Sequence, residues 1–229
     1  AASQQDLLAN LNKVFKGEMQ AHFSDELVDL WNGCLEYERE GINYALNGDP
    51  INILLNFRVM PGHEEDFSWV LVAIQDITAR KKAEQYLRYL GTHDVMTGLY
   101  NRAYFQETLT ELDKTFQGPV SLIIADLNGL KTTNDNLGHQ AGDNLIRRVA
   151  EVLKAGFEAE TVCARLGGDE FAIILPGVDE AKAAEAIERL RNLVNMNNKY
   201  YRRPVLSIAF GAATRRPGTS LEKVMNLAD

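Results

Sequence analysis

A glycine-containing turn between two apolar runs constrains the fold of this chain more than any other stretch. Residues 165–175 read RLGGDEFAIIL, so Gly-Gly-Asp-Glu separates the runs TVCARL and FAIILP. Glycine adopts positive φ angles without a steric penalty, and a Gly-Gly pair between β-prone runs is typical of a tight hairpin. We therefore expect an antiparallel pair of strands whose turn carries the carboxylates of Asp169 and Glu170.

The chain around this hairpin alternates between strand-like and helix-like segments. The runs VSLIIAD at 120–126 and VLSIAFGAA at 205–213 have the length and composition of buried strands. Helices are predicted directly before the hairpin, over about 179–196, and from Ser220 onward. The order of strand, helix, hairpin, helix, strand and helix predicts an α+β fold in which helices pack on one mostly antiparallel sheet.

A second, smaller folded region precedes this one. Apolar residues at three- and four-residue spacing predict helix from residue 6 to about 48, and LNGDP then breaks the pattern. In ILLNFRVM, residues 53–60, apolar and polar side chains alternate as in a half-buried strand, and SWVLVAI at 68–74 is a second β-prone run. We expect the two runs to form an antiparallel hairpin in a small α+β domain over residues 1–77.

A strongly helix-forming segment, ARKKAEQYLRYL, connects the two regions over residues 78–91. Ala83, Leu87 and Leu90 form one apolar stripe on this helix, among polar and charged residues. Two interpretations stay open, because the segment is too short to establish a heptad repeat. The stripe packs on the helix's own domain, or it forms a short two-chain coiled coil that couples the flanking domains.

Composition and charge exclude several classes of protein. Hydrophobic residues make up 45% of the 229 residues, enough for a core, and a net charge of -8 disfavours nucleic acid as the main partner. Cys34 and Cys163 lie far apart without metal-ligand spacing, so we expect reduced core residues and no disulfide. No apolar stretch reaches the roughly 18 residues of a membrane span. We expect a soluble, cytoplasmic chain without a membrane segment, and a membrane segment further upstream in a longer protein stays open.

Acidic residues at two strand ends indicate a metal site. Asp126 closes VSLIIAD, and Asp169 and Glu170 lie in the predicted turn. If these strands are neighbours, three carboxylates meet at one edge of the sheet, and like charges at close range need a cation between them. Oxygen ligands of this kind suit Mg²⁺ or Mn²⁺, which take further ligands from water and substrate phosphates. The substrate class implied is a nucleoside triphosphate.

Two polar stretches near these acids are suited to contact such a substrate. NGLK at 128–131 offers backbone N–H groups around a glycine followed by a lysine, as phosphate-binding loops do. The stretch N-D-x-x-G-H-x-x-G-D at 134–143 carries Asn and Asp side chains able to read the amide and amino edge of guanine. Each stretch also has a structural interpretation, as a turn and as a set of helix caps, and an isolated histidine such as His139 is usually structural.

Several separated motifs, taken in order, resemble the GGDEF domain of diguanylate cyclases, which condense two GTP into cyclic di-GMP. LIIADLNGLKTTNDNLGHQAGD and ARLGGDEFAIIL carry the resemblance, and HDVMTGLYNRAYF resembles the stretch that opens the family's domain, with Met96 where leucine is usual. The resemblance covers about residues 92–229 and implies a nucleotidyl-cyclase or palm-like fold. VLVAIQDITARKKAEQYL resembles, more weakly, the close of a PAS sensor domain and its exit helix, which implies a partial PAS-like domain over 1–77 and a signalling helix over 78–91.

The resemblance also implies roles for individual residues. The family's metal ligands map onto Asp126, the backbone carbonyl of Leu127, Asp169 and the neighbouring Glu170. Its substrate contacts map onto Asn134 and Asp143 for guanine, with His139 close to the same pocket, and onto Gly129, Leu130 and Lys131 for the terminal phosphates. Asn128 stands where many members carry a second aspartate, and we expect this change to be tolerated.

The implied reaction is attack of the 3′-hydroxyl of one GTP on the α-phosphate of another, with pyrophosphate leaving. Asp126, Asp169 and Glu170 are the implied catalytic residues, and the sequence does not choose between Asp169 and Glu170 as the base. One domain holds one GTP, so two domains must face each other twice to close the ring. A homodimer is therefore implied, with the helix at 78–91 as the device that pairs the domains.

Two departures from the family pattern lead to further expectations. Many relatives carry an inhibitory Arg-x-x-Asp motif shortly before the hairpin, whereas Glu158 to Thr161 read EAET, so we predict no product inhibition through that site. The family's domain continues past Asp229 into a helix with basic residues, and we expect the chain to be truncated there. The alternatives to an active cyclase are a GTP-binding module that acts as an allosteric receptor and a dimerising scaffold with an idle site.

Overall fold

The computed structural model describes residues 5, 9, 10 and 18–228, and the chain divides into two compact units, one up to Leu87 and one from Arg88. Each unit has its own sheet, three-stranded in the first and five-stranded in the second. Helices pack on mostly antiparallel sheets, which confirms the predicted α+β class. In the described part of the chain, no helix is long and apolar enough to cross a bilayer.

The first unit combines a helix with a three-stranded antiparallel sheet. Its elements are α1 (Glu18–Trp31), β1 (Glu36–Tyr44), β2 (Pro50–Val59) and β3 (Val70–Asp76). β2 lies in the middle and pairs with both neighbours, with Val59 opposite Val70. The predicted hairpin between the two β-prone runs is confirmed.

The helix predicted over residues 6–48 is wrong in its second part, where β1 forms. The less exposed side of β1 carries Tyr37 and Arg39 in place of an apolar row, and Arg39 is paired with Asp29 of α1. An alternation of period two that is made of polar residues has no hydrophobic signal, so the sequence pattern missed this strand. Most of the predicted helix before Glu18 lies outside the described residues.

A long helix, α2 (Thr78–Thr92), follows β3 and spans the boundary between the two units. Asp76 caps its start, because the Asp76 carboxylate accepts a hydrogen bond from the Thr78 N–H at 2.8 Å. None of its side chains is buried. A helix is thus found where the sequence predicted one, and none of the side chains of its apolar stripe is buried.

The second unit is a five-stranded sheet with helices on both faces. Its elements are β4 (Tyr100–Asn101), α3 (Arg102–Thr115), β5 (Val120–Leu127), α4 (Leu130–Leu137), α5 (His139–Gly156), β6 (Val162–Gly167), β7 (Glu170–Pro176), α6 (Glu180–Tyr201), β8 (Ile208–Thr214) and α7 (Leu221–Ala228). The strand order is β4-β6-β7-β5-β8, and every pair is antiparallel except β4 with β6.

β5 occupies a central position in this sheet and is covered on both faces. Ile123 and Ala125 lie in the core cluster that includes side chains of α5 and α6, whereas Leu122 and Ile124 lie in the cluster that includes side chains of α3 and α7. Within β5 only Asp126 is partly exposed. The strand therefore places the carboxylate of Asp126 at the rim of a sheet that is packed on both faces.

The sequence located most elements of this unit and missed three, namely β4, α3 and α4. The hairpin β6–β7 is confirmed, the helix after it runs on to Tyr201, and the polar stretch at 134–143 contains a break at Gly138 between two helices. β4 has only two residues, too few to form a pattern. α3 buries only Phe105 and Leu109, which leaves its apolar period sparse.

Candidate functional site

The sheet brings the four predicted metal-binding residues to one edge. β5 and β7 are antiparallel neighbours with Asp126 directly opposite Glu170. Directly opposed residues have Cα atoms about 4.5–5.5 Å apart and side chains on the same face. The Leu127 N–H donates to the Asp169 carbonyl oxygen at 3.0 Å, so a backbone hydrogen bond ties the end of β5 to the hairpin turn.

The turn itself has the conformation that its glycines predict. Gly168 and Asp169 are the two residues between β6 and β7, and Gly168 has a φ of 48°. A register shift between Arg165 and Gly167 marks a bulge just before the turn. A Cβ added at Gly167 or Gly168 would meet no atom within 4 Å. Glycine is required here for the backbone conformation, and the space above the turn is open.

An arginine that the sequence reasoning missed holds the turn in place. The Arg165 guanidinium donates to the Gly168 carbonyl oxygen from Nε at 3.1 Å and from Nη2 at 2.7 Å. Its Nη1 lies 3.4 Å from the carboxylate of Asp94, and the Arg165 side chain is only 12% exposed. The available signal was a lone cation within the otherwise apolar run TVCARL. Arg165 and Asp94 are thus positioning residues for the acidic turn.

The predicted meeting of the three carboxylates of Asp126, Asp169 and Glu170 is not found as a group that could hold a metal ion alone. Among the residues that the structure describes, no three His, Cys, Asp or Glu side chains are grouped so as to hold a metal ion by themselves. The edge instead offers the carboxylates of Asp126 and Asp169 and the Leu127 carbonyl, with Glu170 alongside. An incomplete set made only of oxygen atoms is what Mg²⁺ uses when water and substrate phosphates supply the remaining ligands.

Asn134 lies in a tight corner between α4 and α5. A Cβ on the buried Gly142 of α5 would lie 2.0 Å from the Asn134 Oδ1, so the Asn134 side chain occupies space that only a glycine at 142 leaves free. This Oδ1 is buried and has no hydrogen-bond partner among the described residues. An unsatisfied buried acceptor costs about 1–3 kcal/mol. A ligand N–H group that reached this corner would remove that cost.

The other two residues predicted on the guanine side lie at the same corner. Asp143 follows Gly142 directly and is partly buried, with Arg147 Nη2 3.9 Å from its carboxylate. His139 is the exposed first residue of α5. His139 and Asp143 are four positions apart, so both lie on one face of the helix. The fold therefore places His139 and Asp143 on one face of α5, and Asn134 against Gly142, the residue before Asp143.

The residues predicted on the phosphate side form the start of α4. Gly129 has a φ of 73° and caps α4 without a side-chain hydrogen bond, and Lys131 is exposed. The leading N–H groups of a helix have no partner within it, and they attract anions. Asn128 fixes the start of this loop, because its N–H donates to the Ser207 carbonyl oxygen at 2.9 Å and its Nδ2 donates to Ser207 Oγ at 3.2 Å.

A cleft of about 350 Å³ in the same unit has a different lining. His93, Tyr100, Lys154, Glu158 and Thr161 are among its lining residues, and no predicted site residue is. The candidate site therefore lies outside this cleft. The absence of product inhibition through Glu158 to Thr161 stays a prediction.

Comparison with known proteins assigns the second unit to a family. The family model described as diguanylate cyclase, GGDEF domain, matches residues 91–229. The probable diguanylate cyclase DgcE of Escherichia coli (strain K12) is 37% identical over 128 residues, which are 55% of this chain and 12% of DgcE. The match spans less than a quarter of the length of this and other curated relatives.

Solved structures share the fold. The coiled coil and GGDEF domain of DgcB from Caulobacter crescentus, in complex with c-di-GMP, superposes with a TM-score of 0.59 at 28% identity, over 67% of this chain and 84% of that one. Vibrio cholerae LapD (S helix-GGDEF-EAL, bound to c-di-GMP) superposes with a TM-score of 0.58 at 25% identity, over 66% of this chain and 36% of that one. Since the family model covers more than half of the chain, the chain belongs to the GGDEF-domain diguanylate cyclase family.

Proposed function

We propose that this chain condenses two GTP into cyclic di-GMP and pyrophosphate, as a cytoplasmic diguanylate cyclase. The observation that carries the proposal is the buried, unpartnered Oδ1 of Asn134 beside Asp143. Guanine presents two donors on one edge, N1–H and the 2-amino group, and these match two oxygen acceptors. Adenine has an acceptor at N1 and no 2-amino group, so the same corner disfavours ATP.

Metal binding in this proposal falls to the rim of the sheet. Asp126, Asp169 and the Leu127 carbonyl would hold Mg²⁺ or Mn²⁺, with Glu170 beside them. When bound, the ion neutralises charge on the triphosphate and favours loss of the proton from the attacking hydroxyl. The turn is held by Arg165, so Asp169 keeps one position through the reaction.

The remaining steps fall to the protein's own groups. Gly129, Leu130 and Lys131 orient the terminal phosphates through backbone N–H groups and the lysine ammonium. Asp169 or Glu170 accepts the proton of the 3′-hydroxyl as the bond from the 3′-oxygen to the α-phosphorus forms. The bond between that phosphorus and the pyrophosphate oxygen breaks at the same centre. A second, identical transfer closes the ring, so two GTP yield one cyclic di-GMP and two pyrophosphates.

The ring closure requires two such domains face to face, and α2 is suited to pair them. No side chain of α2 is buried, and Leu87 on its apolar stripe is 66% exposed. An exposed apolar stripe supports the interpretation as a two-chain coiled coil. In this proposal residues 1–77 are a partial PAS-like sensor domain, residues 78–91 the signalling helix and residues 92–229 the cyclase domain.

The test is to incubate the chain with GTP and Mg²⁺ and to separate the products by chromatography. We expect cyclic di-GMP from the unaltered chain and from Glu185→Gln, which changes an exposed acid on α6, and we expect none from Asp169→Asn. Full turnover by Asp169→Asn would overturn the metal assignment. Bound GTP without any product would favour the alternative, a GTP-binding receptor or dimerising scaffold.

A further inference from the structure

Arg148 on α5 is a buried cation with an unusual set of partners. It is 4% exposed. Its Nε donates to Asn197 Oδ1 at 2.8 Å, its Nη2 to Asn198 Oδ1 at 2.9 Å and its Nη1 to the Pro204 carbonyl oxygen at 2.5 Å. Its guanidinium also lies 4.7 Å from the centre of the Tyr201 ring. All three hydrogen bonds go to neutral oxygens of one segment, residues 197–204.

Glu151, whose carboxylate also acts on Arg148 electrostatically, is exposed, so neutralisation of a buried acid does not explain Arg148. Moving a cation out of water costs several kcal/mol, and an apolar side chain of similar size would fill the space without that cost. Burial also lowers the pKa of the Arg148 guanidinium. The planar guanidinium can, however, hold several acceptors in a fixed arrangement. Its partners span the end of α6 and the start of the connection to β8, so Arg148 fixes the path of that connection.

This connection leads to the phosphate side of the site. Asn198 Nδ2 donates to the Leu206 carbonyl oxygen at 2.8 Å, and Asn198 Oδ1 accepts from the Leu206 N–H at 2.7 Å. The next residue, Ser207, accepts both hydrogen bonds from Asn128. Asn128 directly precedes Gly129. An unbroken chain of hydrogen bonds and adjacent residues therefore runs from Arg148 to the loop at 128–131.

We propose that Arg148 is a positioning residue for the nucleotide triphosphate. It acts through the α6–β8 connection and Ser207 on the loop at 128–131, and it does not touch the substrate. The guanine corner depends on Asn134 and Gly142, which are outside this chain of contacts. Loss of Arg148 therefore weakens binding of the triphosphate and spares binding of the base. The inference rests on the proposed function for the identity of the ligand, GTP.

The test compares two ligands on Arg148→Met, measured by calorimetry for 3′-deoxy-GTP and by competition for guanosine. 3′-Deoxy-GTP lacks the attacking hydroxyl, so its dissociation constant reports binding without turnover. We expect that constant to rise about tenfold, equivalent to about 1.4 kcal/mol, while the guanosine constant changes less than about twofold. Arg191→Met, an exposed arginine on α6 paired with Glu188, is the control and should change neither constant.

A milder variant keeps the test decisive if Arg148→Met fails to fold. Ser207→Ala removes one exposed hydroxyl that accepts from Asn128, and we expect about a threefold weaker binding of 3′-deoxy-GTP with guanosine unchanged. An equal loss for both ligands, or no loss for either, would overturn the positioning role. If the unaltered chain binds 3′-deoxy-GTP with this pattern but forms no cyclic di-GMP, the proposed activity fails while the inference stands.

Discussion

The two sheets of this chain differ in how completely helices cover them. In the second unit, seven of the eight residues of β5 are buried between helices on both faces. In the first unit, all seven residues of β3 are exposed, although Val70–Ile74 read VLVAI. Strand propensity is similar in the two runs, so it does not decide burial. Coverage by helices decides which residues are buried, and only the covered sheet can hold a carboxylate at its rim in one position.

Helix α1 contacts the smaller sheet along β1. Tyr37 lies against the buried Glu26 of α1, and burial together with this carboxylate raises the pKa of Tyr37 to about 12. Ile53 and Leu55 are the centre of its small apolar core. This unit has much surface and little core, whereas the second unit has the dense packing that holds a site in one geometry.

The two cysteines give the largest expected contrast between the units. Cys34 is exposed, whereas Cys163 is buried and burial raises the pKa of its thiol to about 12. At pH 8 only about one Cys163 thiol in ten thousand is ionised, so a thiol reagent should modify Cys34 at least about a thousandfold faster. Mass spectrometry of peptides from briefly labelled native protein measures both rates.

The stability that the buried Cys163 thiol contributes depends on pH, and its raised pKa gives the direction of that dependence. The folded-state pKa of Cys163 is raised, so its contribution to stability is complete below the unfolded pKa of about 8.5 and is lost as the pH rises toward 12. Denatured protein should react equally at both cysteines. Labelling of Cys163 in native protein at pH 8 at a rate similar to that of Cys34 would contradict the difference in burial between the two cysteines.

Core truncation should separate the sheets in stability. Phe171 is fully buried, and Phe171→Ala should lower the free energy of unfolding of the second unit by about 3–5 kcal/mol. Ile74 is 51% exposed, and Ile74→Ala should cost less than about 1 kcal/mol. Urea unfolding followed by circular dichroism measures both. A large loss with Ile74→Ala would mean that β3 is covered in solution.

Packing at the guanine corner predicts a smaller effect on binding. Gly142→Ala should push Asn134 out of place at a cost of about 1–3 kcal/mol and weaken 3′-deoxy-GTP binding about tenfold or more. Gly91→Ala is the matched control, because a Cβ on Gly91 meets no atom within 4 Å. Unchanged affinity in Gly142→Ala would remove Asn134 from the binding site.

We expect the smallest difference between the two units when one arginine of an ion pair is substituted in each. Arg165→Gln releases the acidic turn, and the rate of cyclic di-GMP formation should fall about tenfold, the equivalent of one hydrogen bond to a charged group. Arg58→Gln removes an exposed pair with Glu36 in the smaller sheet and should leave that rate unchanged. Equal rates for both variants would show that the turn needs no anchor.

The sequence predicted what local patterns encode. The α+β class, the hairpin and the strand ending in Asp126 each follow from apolar runs and turn glycines. β1 escaped prediction because polar residues form its inner row. The anchor Arg165–Asp94 and the partners of Arg148 were also missed, since these contacts join residues 71 and about 50 positions apart. Hydrogen bonds between residues so far apart produce no periodic pattern in the sequence.

The central place of β5 also determines when the site can form during synthesis. β5 pairs with β8, and the hydroxyls of Ser121 and Thr214 meet at 2.7 Å across 93 residues. Pairing over such separations forms late, after the intervening loop has been closed. Ser207 must therefore leave the ribosome before it can restrain Asn128. In the proposed function, the phosphate side of the site therefore forms late, and a chain that ends before Ser207 carries the acidic motif without the restraint on Asn128.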